Sequence, residues 1–379
     1  MPFARPTNRA DNVRHGAARP SLLPPFRDRE RASIVQNGLE IALFDDVLGP
    51  DLPGAQPSCT DPAPNGLRIT LCLLCCLRDG KHVARYYNTS FYAGSRISTA
   101  VPWPGRRWHG PAASAWVSSL ERAAFCDGVR AIRELIAAGE VYQVNLCRVL
   151  SAPLPTGADV AALGAALTTG NPAPYSAVVR LPAQGVHIAS ASPERFLRRD
   201  GRVVESIPIK GTAATPTGFL AKDRAENVMI VDLVRNDLGR VCEWGTVEVP
   251  GLCEVERHPG LSHLVSTVRG RLREGMGWAD AIGATFPPGS VTGAPKIAAL
   301  GVIESLEAAS RGPYCGAVGW VDADSNEGDL NVAIRTFWFA EGRIHFGTGG
   351  GITYDSTPEG EWAETELKAR RLLSVVSSP

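Results

Sequence analysis

The sequence predicts an α+β fold. Segments with strand and helix patterns follow one another in mixed order, without the regular β-α-β alternation of a doubly wound protein. Several strand patterns are separated only by short turns, and strands joined in this way must pair antiparallel. The chain has 379 residues, of which 44% are hydrophobic and 21% charged, so it can bury a large core.

Three regions of the chain differ in their patterns. Residues 1–33 are rich in Arg, Pro and Ala and are predicted to be poorly ordered. Residues 34–107 alternate short strand patterns with Pro and Gly, and they include a predicted hairpin that turns at an Asp-Gly pair. A connection rich in Pro and Gly over residues 101–114 predicts a boundary. The more regular pattern after it predicts a larger domain over residues 115–376.

Helix patterns begin and end the larger domain. "SSLERAAFCDGVRAIRELIAAG" shows helical periodicity up to Gly139 and starts with a serine that is predicted to cap the helix. "KDRAENVMIVDLVRNDLGR" predicts a long helix that ends at Gly239. Thr357 is a predicted cap for a C-terminal helix with Glu residues in its first turns. The strand patterns between these helices include "SAVVRL", "RVVESIPI", "LVSTVRGRL", "YCGAVGWVD", "LNVAIRTFWFA" and "RIHFGTGGGITY".

Composition excludes several classes of function. Lys and Arg together number 39, as do Asp and Glu, so a zero net charge gives no electrostatic basis for binding nucleic acid or an anionic membrane. No apolar run reaches the roughly 18 residues that a membrane-spanning helix needs. Nine cysteines, an odd number scattered along the chain, indicate a reducing compartment, and we expect a cytoplasmic protein.

The stretch "IPIKGT" places Lys210 among apolar and turn-forming residues. Burying an unpaired ammonium group is costly, so a lysine here needs an explanation. One explanation is a surface residue at the end of an edge strand, which is the commoner case. The other is an amine held in a pocket, where desolvation makes it a nucleophile.

Acidic residues on the C-terminal helix suggest a cation site. Glu361 and Glu364 are three positions apart and project from one face. With a carboxylate from another element, such as Glu226, they would suit Mg²⁺, which prefers oxygen ligands. The alternative is a solvated face that stabilises the helix dipole, and the spacing alone favours that alternative.

Glycines and an arginine suggest an anion site. Gly349, Gly350 and Gly351 follow an apolar strand pattern and would expose backbone N–H groups to a carboxylate, or else form a bulge. Arg335 lies in an apolar strand pattern and needs an anionic partner unless it lies at an exposed edge. The loop "FPPGSVTGAPK" is similar to a phosphate loop, but it lacks the Gly-Lys-Ser/Thr ending.

Two further titratable residues lie in strand and turn patterns. His263 in "LSHLVS" could protonate a ligand, although a satisfied core histidine is the commoner case. Glu194 follows Pro193 and is either a turn residue or a general acid. No order of nucleophile, His and Asp is evident, and Cys315 in "PYCGAV" is expected to serve packing.

These motifs occur together in one order: "SPERFL", "PIKGT", "RAENVMIVDLVRNDLGR", "HLVSTVRG", "FPPGSVTGAPK", "YCGAVGW", "IRTFWF", "GTGGGI" and "EWAETELKA". In that order they resemble the chorismate-utilising enzymes over roughly residues 115–375, whereas residues 1–100 match poorly. Within that family the chain resembles the para-aminobenzoate branch and is similar to the anthranilate branch. Lys210 separates the two, because the anthranilate enzymes usually have "PIAGT" where this chain has "PIKGT".

The resemblance implies a layered α/β/β/α fold with two packed antiparallel sheets flanked by helices. Residues 34–107 would be an abbreviated β-rich part, and residues 115–376 the chorismate-binding catalytic domain. The implied reaction is amination of chorismate at C4, through a covalent bond from Lys210 to C2, to give 4-amino-4-deoxychorismate for para-aminobenzoate and folate synthesis. Amination at C2 to give anthranilate, and a non-catalytic subunit that only binds an amidotransferase, remain alternatives.

The resemblance also implies a partner and roles for single residues. A glutamine amidotransferase subunit would supply ammonia, since the chain has no cysteine-based glutaminase motif. Glu226, Glu361 and Glu364 would bind Mg²⁺, with Glu361 acting directly or through water. The catalytic residues would be Lys210, Glu194 and His263. The substrate-binding residues would be Gly211, Thr212, Thr292, Tyr314, Arg335, Gly349, Gly350, Gly351 and Lys368.

Overall fold

The computed structural model describes residues 33–36, 39–42, 68–78, 81–91, 107–181, 185–213, 215–258, 261–322 and 325–378. For the first four strands and for Leu181, Thr212, His258 and Leu261 it describes the backbone alone. Nearly all of the segment predicted to be poorly ordered, residues 1–33, lies outside the described residues. Residues 101–106, where the predicted boundary begins, lie outside them as well, so both stay predictions.

Six helices are present in the part of the chain that the structure describes. They are α1 (Arg122–Ala137), α2 (Val160–Gly170), α3 (Ala221–Gly239), α4 (Trp278–Thr285), α5 (Lys296–Leu306) and α6 (Pro358–Val376). The predicted end of α3 at Gly239 and the predicted cap of α6 are confirmed, since the Thr357 hydroxyl accepts a hydrogen bond from the Gly360 N–H group. None of the helices in the described ranges has the length and apolar character needed to cross a bilayer.

The predicted serine cap of α1 is wrong. The residue at the cap position is Glu121, and its side chain makes no capping hydrogen bond. Ser119 instead accepts a hydrogen bond at 2.9 Å from the N–H group of Val149, on a neighbouring strand. The hydroxyl group is therefore used to hold the entry to α1 against the sheet.

A large sheet contains eleven of the described strands. Its order is β1 (Ser33–Gln36), β2 (Leu39–Ala42), β4 (Lys81–Phe91), β3 (Arg68–Arg78), β15 (Ala317–Asp322), β16 (Glu327–Val332), β9 (Arg195–Asp200), β10 (Val203–Ile207), β13 (Leu261–Arg271) and β11 (Ile209–Ala213), with β12 (Glu248–His258) also paired to β13. The predicted hairpin is confirmed, because Arg78 lies opposite Lys81 in β3 and β4. All pairs in this sheet are antiparallel except β2 with β4.

A small sheet contains seven of the described strands, all antiparallel. Its order is β14 (Gly293–Ala294), β6 (Gln143–Pro153), β18 (Arg343–Ile352), β17 (Thr336–Ala340), β8 (Val186–Ser192) and β7 (Tyr175–Leu181), with β5 (Val117–Ser118) also paired to β6. Its central strands β6 and β18 pair over ten residues, from Val144 opposite Ile352 to Pro153 opposite Arg343. This long register fixes which residues of β18 face each side.

The small sheet is covered on both faces. Along β6, Val149 belongs to the core that joins the two sheets, whereas the next residue, Leu150, belongs to the core beneath α2 and α6. This alternation is the period of two that places successive side chains on opposite faces of a strand. Helix α3 packs on β11 and β13 of the large sheet. The layers therefore run helix, small sheet, large sheet, helix, which confirms the predicted fold class.

Candidate active site

Lys210 lies on β11 and reaches toward the small sheet. A Cβ atom placed on Gly351 of β18 would lie 3.0 Å from the Lys210 Nζ atom, so the amine rests against that glycine. Burial lowers the pKa of Lys210, and the Lys368 ammonium lowers it further, while Glu226, Glu194 and Glu364 act in the opposite direction. The residue is half-buried between the sheets and is not an exposed strand end.

Glu194 lies in the turn between β8 and β9, with only 4% of its surface exposed. Burial raises its pKa to about 7, against hydrogen bonds from Ser290 and the Ile209 N–H group and against the charge of Lys210. Near neutral pH this carboxyl group is therefore poised between acid and base, and it lies within the electrostatic range of Lys210. Such a pKa suits a general acid.

The three glycines lie inside β18 and not at its end. Gly349, Gly350 and Gly351 pair with successive residues of β6. A Cβ atom on Gly350 would lie 2.9 Å from Glu361 Oε2, and one on Gly351 would lie 2.8 Å from Gln143 Nε2. Glycine is therefore required here because polar side chains approach the strand closely from both faces.

Helix α6 brings charged residues to one side of this strand. Lys368 donates a hydrogen bond from Nζ to the Gly349 carbonyl oxygen at 2.9 Å and lies 2.6 Å from Glu364 Oε1. Glu361 accepts a hydrogen bond from the Ser356 hydroxyl at 2.6 Å. The helical spacing predicted from the sequence thus places Glu361 and Glu364 together, close to Gly350.

The carboxylates of this cluster perturb one another. Burial raises the pKa of Glu226, which projects from α3, and the negative charge of Glu364 adds to the rise. Burial likewise raises the pKa of Glu361, and Glu364 again adds to it. Burial would also raise the pKa of Glu364, but the ammonium group of Lys368 outweighs burial and holds that pKa below its usual value.

The donor set fits a divalent cation, although its members do not converge. Among the described residues, no three acidic, His or Cys side chains lie close enough together to hold a metal ion. Glu364 is instead paired with Lys368, an ion pair that is about half exposed. The mutual repulsion of Glu226, Glu361 and Glu364 is nevertheless the kind that a bound Mg²⁺ relieves.

Arg335 precedes β17 and has a positive φ of 50°, so it is not the mid-strand residue that its apolar neighbours suggest. It is half-buried, and no carboxylate of the described residues forms an ion pair with it. Burial and the nearby Arg371 lower its pKa. An arginine in such surroundings fits an anionic ligand.

Tyr314 is 5% exposed and packs on Gly347 of β18, where a Cβ atom would overlap its ring. Its hydroxyl group lies 3.9 Å from the Cys147 thiol. Burial raises the pKa of Tyr314 well above its usual value, so the phenol stays neutral and can donate a hydrogen bond. Cys315, next to it, is buried as expected.

The remaining predicted residues surround the same region. Gly211 follows Lys210 with a φ of 83°, and a Cβ atom there would lie 3.0 Å from Asp223 Cβ. The backbone of Thr212 pairs with that of His263, which is 3% exposed in β13. Thr292 is also buried, and its hydroxyl donates to the Pro288 carbonyl oxygen at 2.8 Å. It can therefore only accept a hydrogen bond from a ligand.

Gln143 is a residue that sequence reasoning missed. It begins β6, is fully buried, and has no hydrogen-bond partner for either side-chain amide atom among the described residues. Its amide nitrogen lies near Gly351, the glycine that Lys210 also approaches. A buried amide without partners is costly, so a ligand that hydrogen-bonds to it would remove that cost.

The loop "FPPGSVTGAPK" does not form a phosphate site. Lys296 is partly buried, forms an ion pair with Asp237 at 2.6 Å, and donates to the Thr285 carbonyl oxygen at 2.9 Å. Its ammonium group is therefore committed to the protein. The loop instead carries Ser290 to Glu194.

Comparison with known proteins places the chain among the chorismate binding enzymes. The family described as chorismate binding enzyme matches residues 104–374. Anthranilate synthase component 1 1 of Haloarcula marismortui is 42% identical over 271 residues, which are 68% of this chain and 54% of that protein. Aminodeoxychorismate synthase component 1 of Escherichia coli is 41% identical over 272 residues, which are 69% of this chain and 59% of that protein.

A solved structure agrees with these sequence relatives. Anthranilate synthase component I from Streptococcus pneumoniae superposes with a TM-score of 0.64 at 33% identity, covering 71% of this chain and 61% of that one. The chain therefore spans a little over half the length of the curated relatives described above. Relatives with two different activities are nearly equally similar, so identity alone does not separate the two reactions.

Proposed function

The chain belongs to the family of chorismate binding enzymes, and from that premise we propose that it aminates chorismate at C4 to give 4-amino-4-deoxychorismate. The observation that carries the proposal is Lys210. It supplies an amine with a lowered pKa inside the site, next to a carboxyl group that is half-protonated near pH 7.

The proposed first step is substitution by the Lys210 amine. The neutral amine attacks C2 of chorismate, the ring double bonds shift, and the C4–O bond breaks. Glu194 gives its proton to the departing hydroxyl group, which leaves as water. A protonated amine has no lone pair, so the burial that lowers the pKa of Lys210 supports this role.

The second step returns the enzyme to its starting state. Ammonia attacks C4, the double bonds shift back, and the bond between C2 and the lysine nitrogen breaks. The proton that ammonia loses on bonding is available to Glu194, and the lysine leaves as an amine. Without the lysine, ammonia attacking C2 directly would lead toward anthranilate.

Mg²⁺ is part of the proposal, held by Glu226 and Glu364 with Glu361 bound directly or through water. When bound, it would neutralise these carboxylates and polarise the ring carboxylate of the substrate. Glu364 must leave Lys368 to take part, which frees the Lys368 ammonium for the substrate. Arg335, which has no carboxylate partner among the described residues, would hold the enolpyruvyl carboxylate together with Tyr314.

Ammonia implies a partner protein. A relative in Escherichia coli is named component 1 of its synthase, and we propose a separate glutamine amidotransferase subunit for this chain too. With that subunit glutamine would be the nitrogen source, and free ammonia would replace it in vitro. The proposed setting is para-aminobenzoate and folate synthesis in the cytoplasm.

Product analysis tests the proposal. The protein is incubated with chorismate, Mg²⁺ and ammonium, and products are separated by mass spectrometry. We expect 4-amino-4-deoxychorismate from the wild type and a loss of at least a hundredfold in its formation by Lys210→Ala. Fluorescent anthranilate as the main wild-type product would reject amination at C4. Full activity of Lys210→Ala would reject the covalent step.

A further inference from the structure

An ion pair lies behind the proposed general acid. Asp237, near the end of α3, is buried, and its carboxylate lies 2.6 Å from the ammonium group of Lys296, a partly buried residue at the start of α5. Lys296 also donates to the carbonyl oxygen of Thr285, the last residue of α4. The pair thus ties three helices together beneath the loop that carries Ser290. It belongs to two sequence motifs, "RNDLGR" and "GAPK", for which the proposed reaction gives no role.

A small cavity separates this ion pair from Glu194. Its volume is about 20 Å³, and its polar lining residues are Glu194, Arg195, Ser206, Asp237, Thr285 and Ser290. A cavity needs roughly 10–15 Å³ and two to four polar partners to hold a water molecule. This one meets both conditions. Apolar residues, including Phe196 and Val234, line the remainder of its wall.

We propose that the cavity holds one water molecule that donates hydrogen bonds to Glu194 and to Asp237, so that the Asp237–Lys296 pair positions the general acid. The inference rests on the proposed function, since it assigns Glu194 the same role. Asp237 and Lys296 act through Glu194 and are positioning residues. Asp237 lines the cavity with Glu194, and Lys296 contacts Asp237 without lining the cavity itself.

The arrangement explains how Glu194 can point its proton at the substrate. The carbonyl oxygen of the protonated carboxyl group accepts from the water, which leaves the hydroxyl group free to face the C4 oxygen. After proton transfer the same water stabilises the carboxylate. The charged groups around Glu194 are Lys210 on β11, Asp237 on α3, Lys296 on α5 and Arg195 on β9, and the Arg195 guanidinium is paired with Asp329 at 2.9 Å.

Two substitutions at Ser206 distinguish the effect of losing the proposed water from the effect of losing the Ser206 hydroxyl group, which lines the cavity. Ser206→Val adds a methyl group that fills the cavity, whereas Ser206→Ala leaves the water its space and its other partners. Valine is well tolerated in strands, so β10 should still form. We expect Ser206→Val to lower kcat about tenfold with an unchanged KM for chorismate, and Ser206→Ala to stay within about twofold of the wild type.

The pH dependence of chorismate consumption gives the second readout. Loss of a hydrogen bond to the carboxylate raises the pKa of Glu194, so the decline of kcat at high pH should move to higher pH in Ser206→Val. Asp237→Asn removes a like charge and leaves Lys296 unpaired, so the same decline should move to lower pH. If Ser206 and Asp237 had a purely structural role, the variants would change in kcat or stability, but the decline of kcat at high pH would not move in opposite directions.

Three results would overturn the inference. They are equal effects of the two Ser206 variants, shifts of Ser206→Val and Asp237→Asn in the same direction, and a dry cavity in a high-resolution crystal structure of the wild type. If Asp237→Asn does not fold, the comparison of Ser206→Val with Ser206→Ala and the crystal structure of the wild type still test the inference. These assays follow the consumption of chorismate, which does not depend on the product formed. A wild type that makes anthranilate would therefore reject the proposed function, while the test of the water molecule would still be valid.

Discussion

Replacing Glu194 with Gln should remove a pH dependence of folding stability that the wild type shows between about pH 4.5 and pH 7. In the folded protein, burial raises the pKa of this carboxyl group from its ordinary value of 4.5 to about 7. In the unfolded chain the group returns to its ordinary value. Folding therefore favours the protonated form, and Gln is a neutral side chain of the same shape.

The sign and size of the effect follow from the two pKa values. Below pH 4.5 the group is protonated in both states, and its contribution is fully present. Between pH 4.5 and about 7 the folded state binds more protons than the unfolded state, so stability falls as pH rises. At roughly 1.4 kcal/mol per pH unit, the loss amounts to about 3 kcal/mol at pH 8. Glu194 is 4% exposed, so solvent screening reduces this figure little.

The assay is urea denaturation of the wild type and Glu194→Gln at a series of pH values from 4.5 to 8. Other titrating groups affect both proteins, so the informative quantity is the difference between their free energies of unfolding. We expect Gln to be the more stable variant by about 3 kcal/mol at pH 8 relative to pH 4.5. Glu304→Gln, which removes an exposed carboxylate, controls for the change in net charge. A difference that stays constant with pH would refute the assigned pKa and its cause.

Three other substitutions test the site. Gly351→Ala should lower kcat at least tenfold, because its Cβ atom would lie 3.0 Å from Lys210 Nζ; steady-state kinetics and a thermal melt would separate this from unfolding. Lys368→Met should tighten binding of Mn²⁺ by about tenfold, since Glu364 loses its ammonium partner. Electron paramagnetic resonance of free Mn²⁺ measures this, and weaker binding would contradict it. Arg335→Gln should raise the KM for chorismate at least tenfold with little change in stability, measured by initial rates and urea denaturation.

The parts of the site that could be predicted from sequence are those with a chemical pattern. The spacing of Glu361 and Glu364 places two carboxylates on one helical face, and the structure has them there. Lys210 is conspicuous because a lysine among apolar residues demands a reason, but the stretch alone favours a surface residue, and its role is implied only by the order of the motifs. Lys368 is four residues after Glu364, so their ion pair also has a recognisable spacing. The second contact of Lys368, its hydrogen bond to the Gly349 carbonyl oxygen, joins distant segments and has no such spacing.

Other features depend on contacts between distant segments and have no such pattern. Gln143 is an ordinary polar residue in the sequence, and only the fold shows that its amide is buried beside Gly351 without a partner. The three glycines suggested an anion site or a bulge, because a strand interior seldom tolerates them. They are tolerated here because side chains from both faces fill the space that their own would occupy. Similarly, the positive φ of Arg335 is set by the bend before β17, not by its apolar neighbours.

The position of Lys210 and Glu194 resolves a conflict that their chemistry would otherwise create. A lysine and a glutamate side by side in water form an ion pair, and that pair would be useless for the proposed reaction. The amine would lack a lone pair, and the acid would lack a proton. Burial opposes this by lowering the pKa of Lys210 and raising that of Glu194, and it is the largest influence on both.

The same burial explains why the proposed reaction would need no separate activation of Lys210. Transfer of one proton from Lys210 to Glu194 makes both groups competent at once, and desolvation favours the neutral pair over the charged one. Any substitution that displaces β11 should therefore affect nucleophile and acid together, because this strand carries Lys210 and the Ile209 N–H group that bonds to Glu194. Gly211→Ala is such a case, because a φ of 83° is strained for alanine and the 3.0 Å approach of its Cβ atom to Asp223 would force β11 away from α3. The expected outcome is a parallel loss of amine reactivity and of the pH-dependent stability of Glu194, which a loss of only one of them would contradict.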